Sequence, residues 1–327
     1  MMPLSSLSSF ALGPEKVNKH AREAEQISEE HCRRLGILLP HFTEYVTISS
    51  WLYPHATPDR LSIVNVVNAL AFYIDDAYVE TPLGQRSPQD GSDDPLLRQA
   101  LQNGISCLRG EPPAPTASAY RTLPVAYRQV RELLCTGAPE SWIQRLADSL
   151  LTHHMSSCML RRTNCSAADL SLKYYLKVRP EDSGMYFTTD LMEFANENYV
   201  PDNLWRDQGL FRMRQITATF GAVLNDLFSY HKEARSDGNV PNIVNVLATR
   251  EGLSFELAVH RTTDILNNLV AEFRQLLSGA GRCTGPVPDA YARGLHDELT
   301  ACYHWQMSTN RYRSPDSPFP ELREYIR

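Results

Sequence analysis

Positive charge is scarce in this chain: 32 Lys and Arg stand against 38 Asp and Glu, a formal net charge of −6. A general nucleic-acid binder needs a basic stripe, which this balance argues against. Long apolar runs are missing too. No stretch reaches about 18 uninterrupted apolar residues, so no membrane span is expected. The cysteines are odd in number and scattered, at Cys32, Cys107, Cys135, Cys158, Cys165, Cys283 and Cys302. None forms a C-x-x-C pair, which leaves a zinc site or a disulfide framework without support. The opening stretch, MMPLSSLSSFALGPEK, lacks a basic n-region, and no secretory signal is expected there. A reducing, cytoplasmic setting is the simplest reading.

Alternating strand patterns are also rare, and what is present is helical periodicity. Apolar residues recur at three- and four-residue steps in roughly 15–37, 61–80, 120–135, 141–162, 168–178, 185–198, 204–235, 240–250, 254–278 and 288–312. Pro, Gly, Ser and Asp gather between them, at 81–95, 110–118 and 279–288. With 43 % hydrophobic residues in 327, the chain can bury a sizeable core. The expectation is an all-α fold: a partly helical N-terminal segment, 1–40, then a single α domain, 41–327.

Two clusters carry chemistry. Residues 61–74, LSIVNVVNALAFYI, are apolar all round, as in a buried helix. They run straight into DDAYVE. Asp76 and Glu80 share a face at four-residue spacing, and Asp75 lies about 100° away. Two such charges about 4 Å apart repel by roughly 4 kcal/mol at an effective dielectric of 20. A helix C-terminus is also the wrong end for negative charge. Metal binding would offset that cost. A second acidic pair, Asp93–Asp94, sits among Gly, Ser and Pro and reads as a solvated turn.

The second cluster is NDLFSYHKE, 225–233. Asn225, Ser229 and Glu233 drift only about 80° around a helix, so their oxygens point one way. An amide, a hydroxyl and a carboxylate suit a hard cation such as Mg²⁺, and the lack of His or Cys argues against zinc. Ala218, Gly221 and Ala222 lead down from Asn225, as a wall leaving room for a ligand would. Two oxygen-rich helix faces in one all-α chain could hold several divalent ions and clamp a diphosphate.

The two motifs together resemble those of the class I terpene cyclases of the isoprenoid-synthase fold, whose helical bundle surrounds a central cavity. The family's aspartate-rich motif is matched by Asp75, Asp76 and Glu80. Its N-D-(L/I/V)-x-(S/T)-x-x-x-E motif is matched by Asn225, Asp226, Leu227, Ser229 and Glu233. The resemblance implies about three Mg²⁺ ions bound with the diphosphate. It implies that Arg179 senses the diphosphate, with Asp182 and Gly184 at a helix break. It implies that Lys232, Arg311 and Tyr312 bind the same group. Pro180 disfavours α geometry at Arg179, and Ser183–Gly184 permits an unwound turn. Lys173, Lys177, Arg161 and Arg162 read as solvated faces.

The implied reaction is ionisation of a linear prenyl diphosphate and cyclisation of the carbocation. Aromatic faces would steady that cation, with Phe72 and Trp305 foremost among Tyr73, Phe187, Phe220 and Tyr303. The chain's size resembles microbial, especially fungal, sesquiterpene cyclases, which points to farnesyl diphosphate. Geranylgeranyl diphosphate and a diterpene product is the alternative. Other readings are a chain-elongating prenyltransferase, a squalene-synthase-like condensing enzyme and an inactive helical scaffold. Monomer or homodimer, with no nucleic-acid partner, completes the expectation.

Overall fold

The computed structural model describes residues 13–79, 94–160, 166–234 and 241–323, and among them there is no strand. The helices are α1 (Ala21–Leu35), α2 (Phe42–Leu52), α3 (Pro58–Ile74), α4 (Pro95–Leu108), α5 (Thr122–Leu134), α6 (Glu140–Leu160), α7 (Leu172–Asp182), α8 (Met185–Ala195), α9 (Gln208–Ala234), α10 (Ile243–Glu251), α11 (Phe255–Leu277) and α12 (Pro286–Ser308). The chain divides into two compact units, Val17–Thr163 with Tyr186–Tyr199, and Met1–Lys16 with Asn164–Met185 and Val200–Arg327. They are called the N-terminal and C-terminal units below. No helix among the described residues is long and apolar enough to cross a membrane.

In the N-terminal unit α3 is the central rod. Thr57 caps it, Pro58 occupies its first turn and Asp59 meets the positive end of its dipole. Leu61, Val64, Val66, Val67, Leu70 and Ile74 are all buried, so the helix is covered on every side. Helices α1, α2 and α5 pack against it. Three of its polar residues are buried as well: Ser62 donates to Asp59 O in its own helix at 2.7 Å, and the two asparagines reach neighbouring helices. The Asn65 amide donates to Ser28 Oγ on α1 at 3.3 Å, and that of Asn68 to Ser49 Oγ on α2 at 2.7 Å. Such pairs satisfy polar groups that burial would otherwise penalise.

In the C-terminal unit α9 plays the same part. Met213, Ile216, Phe220, Val223, Leu224 and Leu227 are fully buried along it, and α7, α11 and α12 pack on it. Three expectations change. Helices α2 and α4 were not expected. Helix α2, FTEYVTISSWL, carries several β-branched residues and little amphipathic contrast. Helix α4 runs through Gly104, whose missing side chain leaves room for the Tyr127 ring of α5; a Cβ there would lie 2.4 Å from it. Asp94 is more than a solvated turn residue. It caps α4 through Leu96 N at 2.7 Å and accepts from Tyr120 OH at 2.5 Å. Finally, α7 runs through Arg179 and Pro180. The break falls later, at Gly184, which adopts a left-handed φ of 77° that glycine alone takes without strain.

Candidate active site

The C-terminal unit gathers Arg179, Asp182, Asn225, Ser229, Glu233 and Tyr312 of the expected residues into one hydrogen-bonded cluster. Asp226, next to Asn225 on α9, is fully buried. It accepts from Arg179 Nε at 2.8 Å, Tyr175 OH at 2.6 Å and the backbone N–H of Ile243 at 3.0 Å. The terminal nitrogens of Arg179 each give one N–H, to Asp182 Oδ2 at 2.8 Å and Asn225 Oδ1 at 2.9 Å. Burial works against its charge, but Asp226, Tyr175 and Asp182 outweigh that and hold its pKa well above the usual value. Arg179 therefore remains a cation inside the protein. Pro180 costs α7 one backbone hydrogen bond, yet the helix holds because Arg179 anchors its last turn to α9.

Asn225 links the cluster to the C-terminal end of the chain. Its amide nitrogen donates to Tyr312 OH at 2.8 Å. Tyr312 and Arg311 lie in the short turn Asn310–Tyr312 that follows α12. Burial pushes the Tyr312 phenol up, so it stays protonated and able to donate. Trp305 is buried edge-on to Tyr312, with ring centroids 6.0 Å apart. Ser229 Oγ lies 2.8 Å from Asn225 O and 2.7 Å from Glu233 Oε1. Burial and the nearby Asp226 raise the Glu233 pKa. Amide, hydroxyl and carboxylate thus share one face of α9, a donor set of hard oxygens that fits a divalent cation such as Mg²⁺.

Not every expected residue joins the cluster. Lys232 is exposed on the last turn of α9. Gly221 does not open a wall for a ligand. Its place is filled by Met185, whose Sδ and Cε would lie 2.7 Å from an added Cβ, with Cys302 Sγ at 3.1 Å. Phe220 is fully buried in the core.

The first acidic motif belongs to the N-terminal unit. Helix α3 gives way at Asp75 to a π-helical turn, Asp75–Val79. Such turns widen the helix by one residue and recur at functional sites. Asp75 and Asp76 are both partly exposed. Asp76 Oδ2 accepts from Tyr45 OH at 2.5 Å, and the Tyr45 ring lies 4.7 Å from Phe72. Phe72 is itself only half-buried. Glu80 lies outside the described residues, as do Arg161 and Arg162. Phe187 packs against His153, ring centroids 5.2 Å apart.

Sequence reasoning missed Tyr45, Tyr175 and Asn242. Tyr175 stands four residues before Arg179, one turn down the same helix face, and Asn242 precedes a helix as a cap should. Tyr45 left no signal, because its partner is 31 positions away.

This geometry meets a family description. Residues 67–272 match the model for terpene synthase family 2, C-terminal metal binding. The chain belongs to that family and is a class I terpene synthase. Among curated relatives it is 27 % identical to pristinol synthase of Streptomyces pristinaespiralis, over 91 % of this chain and 82 % of that one. It is 24 % identical to sesquiterpene synthase Agr1 of Cyclocybe aegerita, over 90 % and 84 %. Its fold matches the crystal structure of linalool/nerolidol synthase from Streptomyces clavuligerus with a TM-score of 0.74 at 22 % identity, over 90 % of this chain and 98 % of that one. The likeness reaches bacterial and fungal proteins, so it does not single out fungal enzymes.

Proposed function

We propose that this terpene synthase ionises farnesyl diphosphate with the help of Mg²⁺ and closes the resulting carbocation to a sesquiterpene, releasing diphosphate. One observation carries the reading: a buried, permanently charged Arg179 hydrogen-bonded to Asn225, whose other amide end meets Tyr312. A phosphate-binding fork, a hard-oxygen metal motif and a phenol donor are joined in one chain of contacts. A C15 substrate is supported by a relative named as a sesquiterpene synthase.

Asp75, Asp76, Asn225, Ser229 and Glu233 would hold the metal, about three ions by the family resemblance, and Glu80 completes the motif in sequence. Mg²⁺, when bound, adds positive charge and Lewis acidity at the leaving oxygen. Arg179 offers a planar fork to the diphosphate oxygens. Arg311 and Lys232 add charge, and Tyr312 adds a neutral donor. These groups favour the state in which the allylic carbon–oxygen bond breaks and both electrons leave with the diphosphate. Asp182 and Asp226 aim Arg179, and the left-handed Gly184 ends its helix. The cation must then be shielded from water. By the family resemblance, Phe72 and Trp305 would steady it with their π faces, worth about 2 kcal/mol each when desolvated. By the family resemblance, residues 41–327 would act as one catalytic domain.

The test is to incubate the purified protein with C10, C15 and C20 prenyl diphosphates, with Mg²⁺ or with EDTA, and to analyse the extract by gas chromatography–mass spectrometry. A Mg²⁺-dependent cyclic C15 hydrocarbon or alcohol is the expected result. A product from C20 alone would replace the substrate. No product and no released diphosphate would leave the chain a scaffold.

A further inference from the structure

We propose that Asn242 is a positioning residue of the second metal motif, fixing the Glu233 carboxylate before any cation arrives; this rests on the metal-dependent reading above. Asn242 is fully buried and lies just before α10. All three of its side-chain bonds are accounted for. Oδ1 accepts from Val244 N at 2.9 Å, which caps α10. One amide N–H reaches Asp226 O on α9 at 2.8 Å, and the other reaches Glu233 Oε2 at 2.7 Å. Ser229 Oγ holds the opposite oxygen, Oε1, at 2.7 Å. Ser229 and Asn242 thus hold one carboxylate oxygen each, and an oxygen held by one such bond keeps lone-pair capacity for a cation.

The position needs such a clamp. Glu233 is in the last turn of α9, where the helix dipole disfavours a carboxylate. Left alone, its long side chain would sample rotamers that point elsewhere, an entropy that a rigid donor removes in advance. The donor's neutrality matters equally. A lysine or arginine at 242 would also orient Glu233 but would cancel the charge that attracts a divalent ion. An amide orients without neutralising. Asn242 is itself anchored by the network that holds Arg179. The neighbouring Ile243 N–H donates to Asp226 Oδ2 at 3.0 Å, and Tyr175 OH reaches both Asp226 Oδ2, at 2.6 Å, and Pro241 O, at 3.3 Å. The buried aspartate therefore sets two things at once: the arginine on one side and, through residues 241–243, the metal-ligand carboxylate on the other.

The experiment separates this role from capping. Serine and glycine both serve as N-caps, but neither reaches Glu233. Wild type, Asn242→Ser and Asn242→Gly are titrated with MgCl₂ in the presence of inorganic diphosphate by isothermal calorimetry. Metal-free thermal melting is recorded alongside, and turnover is followed against Mg²⁺ concentration. The expected result is a rise of about 10- to 100-fold in the Mg²⁺ midpoint for both variants, the usual cost of losing a group that orients a ligand. The change falls on the Mg²⁺ midpoint more than on kcat at saturating Mg²⁺. A midpoint within twofold of wild type in either folded variant overturns the proposal. Wild type that takes up no Mg²⁺ with diphosphate defeats the functional reading itself, an outcome told apart by the wild-type arm alone.

Discussion

The two metal motifs are built by opposite means. Around Asn225 the C-terminal unit supplies a closed network in which Arg179 alone holds three side-chain partners, Asp226, Asp182 and Asn225. Around Asp75 the N-terminal unit offers a π-turn, partly exposed carboxylates and the Tyr45 hydroxyl on Asp76. One motif is locked into the core; the other is presented at a helix end. Locking costs more to break because it mixes function with stability. A buried ion pair that loses one partner leaves an uncompensated charge, whereas an exposed carboxylate can fall back on water.

That contrast makes predictions of graded size. The largest effect is expected from Arg179→Ala, which strands Asp226 in the core. Product formation should vanish and unfolding should become easier by about 3–5 kcal/mol, read from urea melts. Wild-type-like stability would show that Asp226 is solvated after all. Asn225→Leu comes next. It removes a metal ligand together with bonds to Arg179 and Tyr312, so turnover should fall about 100-fold or more, with a stability loss of only about 1–3 kcal/mol for the polar groups left behind. Tyr45→Phe tests the open motif. It keeps the ring against Phe72 and deletes one donor. The Mg²⁺ requirement should rise about 10-fold while the melting curve barely moves; a large drop in stability would erase the contrast between the motifs. Phe72→Ala should have the mildest effect on rate and change the product mixture seen by mass spectrometry. An unaltered mixture would make Phe72 a packing residue only.

Much of this was legible in the sequence because both motifs are local. Asn225, Ser229 and Glu233 sit on one helix, and spacing alone puts them on one face. The all-round apolarity of 61–74 marked a buried helix, and the structure buries it. What spacing could not supply were contacts between elements. Tyr45 meets Asp76 across 31 positions, and the Tyr312 hydroxyl meets Asn225 across 87. Gly221 shows how a local inference fails. Its small size suggested space for a ligand, yet the space was already occupied by Met185, 36 residues earlier in the chain. Pro180 misled for a related reason. Proline's local preference against helix was outweighed by the anchoring of the preceding arginine to another helix.

The π-turn at Asp75–Val79 carries a further consequence, for change in chain length. A π-turn is a helix with one residue too many, held open where an α-helix would have closed. The direction in which Asp75 and Asp76 face is then set partly by a count of residues and not only by their identities. Removing Ala77 would let the turn close to α geometry, leaving Val79, now buried, on its own side while redrawing the backbone that carries Asp75 and Asp76. No substitution scan would uncover that dependence, because every carboxylate could be kept and the site still lost. The locked motif, on the continuous helix α9, has no extra residue to give up: a deletion between Asn225 and Glu233 would rotate one past the other by about 100°.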